Sequence, residues 1–307
     1  MRFERWFRLA WLVAAIAALL IVFAACGGGE EEGTHGAGPA GTATPAGTAT
    51  PAGTPAGTPA GSPVAGVPEL EDGVLQVGSD IAYAPMEFFE EGTTNPEGLD
   101  IDLGDALAEE LGVGVTFINS GFDGLPDALN VSRFDAVMSA MTINEGRLKQ
   151  IDFVPYFTAG TDILVAAGNP KGIGGVEDLS GLTVAVQLGT IQVQQLEAAN
   201  EDLKAAGEAE INIVTFDVNP LAVEQLRLGR ADAVLADSPV VANDALLSDG
   251  KLEAVGLAME SAPYGIGLRK TSTELKAAIE GALQKLIDDG TYDDILKKWG
   301  LEGGSIE

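Results

Sequence analysis

The 307-residue chain carries 17 Lys and Arg against 46 Asp and Glu, a formal net charge of −29, and 46% of its residues are hydrophobic. That acidity excludes nucleic acid as a natural partner, since phosphates need opposing cations, while the apolar content allows one or two domains with a sizeable core. One cysteine, Cys26, and one histidine, His35, leave no intrachain disulfide, no His/Cys metal set and no Ser-His-Asp or Cys-His nucleophile, so neither metal nor cofactor is expected.

In chain order, Arg2, Arg5 and Arg8 precede an apolar run from Leu9 to Ala25 that ends in small residues, the layout of a secretory signal. The run is at the lower length limit for a spanning helix. Phe23-Ala24-Ala25-Cys26 resembles a bacterial lipoprotein cleavage box, with Phe23 where an aliphatic residue is usual. Cleavage with lipidation of Cys26 and retention as an uncleaved anchor both stay open, and both hold the rest of the chain outside the cytoplasmic membrane. Residues 1–26 are read as the signal and 27–68 as a tether, in which Thr-Pro-Ala-Gly units recur from Thr44 to Gly61. So little apolar surface does not offset the entropy of ordering, and extended polyproline geometry gives a reach on the order of 100 Å.

The folded part opens with a strand at Val74–Ser79 that runs into Asp80 and the turn Tyr83-Ala84-Pro85. A helix follows at Leu99–Leu111, then a strand at Val113–Ile118. This alternation predicts a mostly parallel sheet. Asp135 to Met138 reads as a further strand with Ser139–Thr142 at its carboxyl end, and Asn144–Gln150 as a short helix carrying Arg147. Strands are predicted at Asp152–Tyr156, Ile163–Ala166 and Leu182–Val186, the last followed by Gly189, Thr190 and an amphipathic helix from Ile191 to about Ala205. A strand running into Gly-Thr at a helix start presents amides to an anion, or is an ordinary capped helix. Strands at Ile211–Phe216, around Asp232 and at Leu252–Val255, with a helix near Leu221–Leu228, complete a second lobe. The chain recrosses near Ser261–Gly267 and ends in helices Glu274–Asp288 and Tyr292–Trp299.

An internal repeat links the halves. Leu125–Ser139 (LPDALNVSRFDAVMS) and Ala222–Ala236 (AVEQLRLGRADAVLA) both read as helix, basic turn, Asp-Ala-Val and strand. The second copy ends at Asp237-Ser238-Pro239, where Asp237 is either a helix N-cap or a functional carboxylate. In open α/β sheets ligands bind beyond strand carboxyl ends. Set across a cleft, Ser139 and Arg147 on one side and Asp237 on the other receive a zwitterion, the guanidinium for a carboxylate and the carboxylate for an ammonium.

The motifs GSDIAYAPMEF, GLDIDL, FDAVMSAMTINEGR, VAVQLGT, GRADAVLADSP, YGIGLRK and DDGTYDDILKKWG occur in that order. With them the chain, from about Leu70 to Leu301, resembles the family 3 extracellular solute-binding proteins of amino-acid ABC importers, especially glutamine-, histidine- and arginine-binding members. The resemblance implies an α/β fold of the two-lobed periplasmic-binding-protein type (type II). Each lobe would be a mixed, mostly parallel sheet flanked by helices, with two hinge crossovers and closure on one amino acid. Lobe 1 is expected at 69–160 plus 263–307 and lobe 2 at 161–262. Residue by residue, it assigns a ligand α-carboxylate to Arg147 with Thr142 and Thr190, and the α-ammonium to Asp237 with the Ser139–Thr142 segment. Tyr83 and Phe122 become walls, and Asp80 meets the polar end of the ligand side chain. Ala140, Met141, Gln187, Gly189 and Ile191 complete the expected site. Met86, Ala140 and Ile191 depart from commoner family residues, and Gln187 stands where some members have lysine.

What the resemblance implies is a monomeric, lipid-tethered binding protein with a free amino acid and a permease as partners. A cyclohexadienyl dehydratase-like enzyme or a ligand sensor on the same scaffold is the alternative, with Asp80 or Asp237 as acid or base. The sequence stops at Glu307 without the membrane span and signalling domain of a sensor, which favours binding.

Overall fold

The computed structural model of the chain describes residues 65–306, except for the side chains of residues 257–260. Cys26, the signal-like segment and the low-complexity stretch through residue 64 lie outside the described residues. Val67 is 5% exposed and packs into the core, and Pro68–Leu70 forms a short 3-10 turn, so the packed chain begins slightly ahead of Glu69.

The first half runs β1 (Val74–Ser79), β2 (Phe88–Phe89), β3 (Pro96–Glu97), α1 (Leu99–Leu111), β4 (Gly114–Asn119), α2 (Leu125–Asn130), β5 (Ala136–Val137) and α3 (Glu145–Leu148). A long strand, β6 (Asp152–Ala166), carries the chain into the second half: β7 (Thr183–Gln187), α4 (Ile191–Ala206), β8 (Asn212–Phe216), α5 (Asn219–Arg227), β9 (Ala233–Asp237) and α6 (Ser238–Leu246). Strand β10 (Leu252–Leu268) returns, and α7 (Thr273–Asp288) and α8 (Thr291–Trp299) follow.

One eight-stranded sheet joins the halves in the order β4-β1-β5-β10-β6-β9-β7-β8. The trios β4-β1-β5 and β9-β7-β8 are parallel within themselves, and the antiparallel pair β10-β6 lies between them. Central parallel strands are covered on both faces, so Val184, Ala185 and Val186 are all fully buried, as the unbroken apolar run of β7 predicts. The expected separate strands at Asp152–Tyr156 and Ile163–Ala166 are one strand. The small and polar residues Thr158, Gly160 and Thr161 between them read as a break, but pairing with β10 along the whole length keeps the backbone extended. That pairing shifts register between Val255 and Ala262 and again at Tyr264/Gly265, and such bulges bend a strand where the two halves meet.

The repeat has a structural cause. Asp135 accepts the Gln76 amide at 3.0 Å through Oδ2 and donates its own amide to the Gln76 carbonyl at 2.8 Å. Asp232 does the same with Thr183, at 2.9 and 2.7 Å. In both copies the aspartate docks its strand's entry onto the neighbouring parallel strand.

Helix α1 buries Leu99, Ile101, Leu103, Leu107 and Leu111 and stops at Gly112, whose φ of 71° is the left-handed helix end that glycine tolerates. Its other end is Gly98, φ 134°, where any Cβ would collide with the Met86 carbonyl. Gly98→Ala is therefore predicted to cost at least about 2 kcal/mol through backbone strain and overpacking. Urea denaturation reads it, and an unchanged midpoint would show that the Met86 turn yields freely.

Candidate functional site

The carboxyl ends of β1, β5, β7 and β9 converge, and the residues just beyond or at them line one narrow, nearly closed cleft with free space of about 10 Å³. Asp80 and Tyr83 follow β1, and Ala140, Thr142 and Arg147 follow β5. Gln187 ends β7, with Thr190 and Ile191 after it, and Asp237 ends β9.

Arg147 is held by its surroundings before any ligand is considered. Its Nη1 donates to the Thr142 carbonyl at 2.6 Å, its Nη2 to the Gly189 carbonyl at 3.0 Å, and its guanidinium sits 5.2 Å from the centre of the Phe122 ring. Two of its five N–H donors are engaged in this way. Burial lowers its pKa to about 10, against the pull of the Asp237 charge. At Gly189 a Cβ would strike the backbone of Asp123 on the facing half, and φ is 78°, so this close approach requires glycine.

Opposite, Asp237 occupies the N-cap position of α6 but makes no capping bond. Its Oδ2 accepts from the Tyr83 hydroxyl at 3.0 Å, its own amide donates back to that hydroxyl at 3.1 Å, and its Oδ1 accepts from Gln192 Nε2 at 2.8 Å. Burial raises its pKa to about 6, opposed by the hydrogen bonds from Tyr83 and Gln192 and by the Arg147 charge. Asp80 accepts from Gln187 Nε2 at 2.6 Å; burial raises its pKa to about 7, the Gln187 bond opposing and the Asp123 charge adding. Thr190, the N-cap residue of α4, donates its hydroxyl to the Gln187 carbonyl at 2.8 Å and caps nothing, so the helix begins at the cleft without a side-chain cap. A buried guanidinium and a helix start suit an anion, and two carboxyls opposite suit a cation.

Ten of the thirteen expected residues line the cleft: Asp80, Tyr83, Phe122, Ala140, Thr142, Arg147, Gln187, Thr190, Ile191 and Asp237. The other three do not. Gly189 contributes its carbonyl to Arg147. The chain bends at Ala140, φ 44°, and its neighbours turn away from the cleft: Ser139 donates to Glu87, and Met141 packs with Phe122, Leu125 and Phe134. Two lining residues were missed, Glu87 and Gln192. A lone acid inside Met86-Glu87-Phe88-Phe89 was a readable signal for the first; nothing local marked the second.

Fold and cleft together define a two-lobed solute receptor. Residues 75–302 match the bacterial extracellular solute-binding proteins, family 3, and the chain belongs to that family. It is 33% identical over 244 residues to the arginine-binding protein ArgT of Corynebacterium glutamicum, covering 78% of this chain and 79% of that one. A solved ancestral arginine-binding protein bound to arginine superposes with TM-score 0.69 at 39% identity, over 74% of this chain and 98% of that one. A solved ancestral amino acid-binding protein described as a precursor of cyclohexadienyl dehydratase gives TM-score 0.68 at 39% identity, over 75% and 96%. Among the described residues no helix is long and apolar enough to cross a membrane.

The buried acids fix the sign of the pH dependence. Asp80, Asp100 and Asp237 have folded pKa values of about 7, 6 and 6, above the unfolded value near 3.8, so the folded state holds more protons between those limits. Their contribution to stability is complete below about pH 4 and is lost as pH rises through 6 to 7. Urea midpoints of the ligand-free protein should fall from about pH 5 to about pH 8, and Asp80→Asn should flatten the part of the curve nearest pH 7. A midpoint that rises across that window would mean these carboxyls ionise freely in the fold.

Proposed function

We propose that the chain is the substrate-binding component of an amino-acid ABC importer and captures a polar or cationic L-amino acid between its lobes. The observation that carries this is the placement of Arg147 and the start of α4 across one narrow cleft from Asp237. In this reading Arg147, with Thr142 and Thr190, takes the α-carboxylate. Asp237, oriented by Tyr83 and Gln192, takes the α-ammonium. Tyr83 and Phe122 wall the ligand, and Asp80 with Gln187 meets the end of its side chain. The excess of acids over cations in the lining favours a positively charged side chain, and the arginine named in the relatives agrees with this.

Closure would occur about β6 and β10, between lobe 1 at 69–160 plus 263–307 and lobe 2 at 161–262. The Tyr83–Asp237, Asp80–Gln187 and Arg147–Gly189 contacts then become the seam of the closed form. The protein would work as a monomer, and a dimer by light scattering would sink that point. A dehydratase is the second reading, motivated by the ancestral precursor and by Asp80, whose pKa lies near neutrality. The Arg147 and Asp237 pair favours simple binding, because it matches an intact zwitterion.

Thermal-shift screening against the twenty amino acids tests the ligand class, since a ligand at 100 times its Kd stabilises by about 2.7 kcal/mol. No shift with any of them, together with consumption of a cyclohexadienyl acid, would overturn the reading in favour of the enzyme. Removing one member of a buried charge pair costs about 2 to 5 kcal/mol, so Arg147→Ala and Asp237→Asn should each weaken every amino-acid ligand by at least roughly thirtyfold. Asp80→Asn should instead reorder preference among arginine, lysine, histidine and glutamine. Calorimetry over a matched panel distinguishes these, and near-normal binding by Arg147→Ala would show the site is wrongly assigned.

Cys26 is proposed as the lipidated N-terminus, from its place after Ala24-Ala25. Cys26→Ser should release the protein from membranes. A membrane-bound form whose mass includes Met1 to Ala25 would mean an uncleaved anchor instead.

A further inference from the structure

At the floor of the cleft the lining residue Glu87 joins Asp100 in a polar cluster that the binding reading does not use. Glu87 and Asp100 are 1% and 0% exposed. Asp100 is well supplied with donors. Its Oδ2 accepts the Ala140 amide at 2.9 Å, and the Tyr156 hydroxyl lies 2.7 and 2.8 Å from its two oxygens. Glu87 is not. Its Oε1 accepts from the Ser139 hydroxyl at 2.8 Å, while its Oε2 is fully buried and meets no donor. The Ser139 oxygen in turn accepts the Asp80 amide at 3.0 Å, so its one proton is committed to Glu87.

An ionised Glu87 would leave a charged oxygen buried and unsatisfied beside a second carboxylate, a costly arrangement in a low-dielectric interior. A proton on Oε2 removes both faults at once, because it neutralises one charge and supplies the missing bond. Two donors, the Ala140 amide and the Tyr156 hydroxyl, stabilise charge on Asp100 and one serves Glu87, so the proton resides on Glu87. We propose that Glu87 is carried as a neutral carboxylic acid that donates to Asp100 and acts, through Ser139, as a positioning residue for the Ser139–Thr142 segment of the ligand cleft.

The segment needs such support. Ala140 has φ 44°, in the left-handed region that a non-glycine residue leaves unless its surroundings hold it. Its amide is held by Asp100, its predecessor by Glu87, and two residues on the Thr142 carbonyl takes the Arg147 guanidinium. The titratable groups facing Glu87 are Asp100 from α1, Asp80 from the end of β1, Tyr83 from the following turn and Tyr156 from β6. Burial first, then the Asp100 charge, hold the Glu87 carboxyl well above the usual carboxylate range, in keeping with the geometry. When the proton is lost at alkaline pH, two adjacent charges repel and the support under Ala140 fails.

The coupling to ligand rests on the proposed amino-acid binding; the shared proton does not. Infrared spectroscopy of the ligand-free protein tests the proton directly. A protonated carboxylic carbonyl band is expected to persist above about pH 8, after Asp80 and Asp237 have ionised, and to vanish in Glu87→Gln. Asp100→Asn, which removes the charged acceptor, should shift loss of the band to lower pH. Absence of the band in the wild type, or its survival in Glu87→Gln, overturns the proposal.

Calorimetry with L-arginine at about pH 6 and at an alkaline pH beyond the one at which the infrared band is lost tests the positioning role. The wild type should lose at least about tenfold more affinity over that interval than Glu87→Gln, whose amide donates to Asp100 and accepts from Ser139 at every pH. The titration of arginine itself cancels in the comparison. Equal losses in the two proteins would overturn the coupling. Failure of the wild type to bind arginine at either pH would count against the binding reading alone, and the infrared band would still decide where the proton resides.

Discussion

Burial of several carboxyl groups around one guanidinium is the constraint on which the middle of this molecule depends. Asp80, Asp237, Glu87 and Asp100 are all withdrawn from water at the carboxyl ends of parallel strands, and Arg147 is the cation among the lining residues. A carboxylate in that position persists only with donors or with a proton. The surroundings supply both. Tyr83 and Gln192 donate to Asp237, Gln187 donates to Asp80, and Tyr156 and the Ala140 amide donate to Asp100. Because most of these donors come from the other half of the sheet or from distant strands, satisfying the acids and bringing the halves together are one event.

The same arrangement accounts for the economy of the scaffold. Each half presents a parallel trio whose strands end at the cleft, and each trio is locked at its far end by an aspartate that docks one strand on the next, Asp135 on Gln76 and Asp232 on Thr183. Each trio delivers its side chains to the cleft, while the β6–β10 pair that joins them carries register shifts concentrated between Val255 and Ala262. Family membership and geometry agree here: two parallel trios joined by a bulged strand pair suit a solute-binding protein.

Much of this was legible in the sequence because local signals and global fold agree. The apolar run of β7 and the helical spacing of Leu99 to Leu111 each named an element within a residue or two. The repeat around Asp135 and Asp232 announced two similar halves, the strand-end rule pointed to Asp80, Arg147 and Asp237 before any distance was known, and the family resemblance added Gln187. Periodicity failed where pairing decides. Thr158 to Thr161 looked like a break, yet β10 holds that stretch extended. Met141 was grouped with its neighbours, yet the bend at the left-handed Ala140 leaves it in the core.

The sequence by itself determined the class of element at nearly every position and which residue types were available, since propensity, punctuation and apolar spacing are properties of a short stretch of chain. It also determined that chemistry here rests on carboxyls, one guanidinium and amides, because no histidine or cysteine lies in the packed part. Tertiary structure alone decided what those groups are. That Asp237 serves Tyr83 and Gln192 rather than capping α6, that Gly189 must lack a side chain because Asp123 stands against it, and that Glu87 and Asp100 share one buried space are facts about residues far apart in sequence. Ionisation and hydrogen-bond satisfaction depend on who the neighbours are, and only the folded chain chooses them.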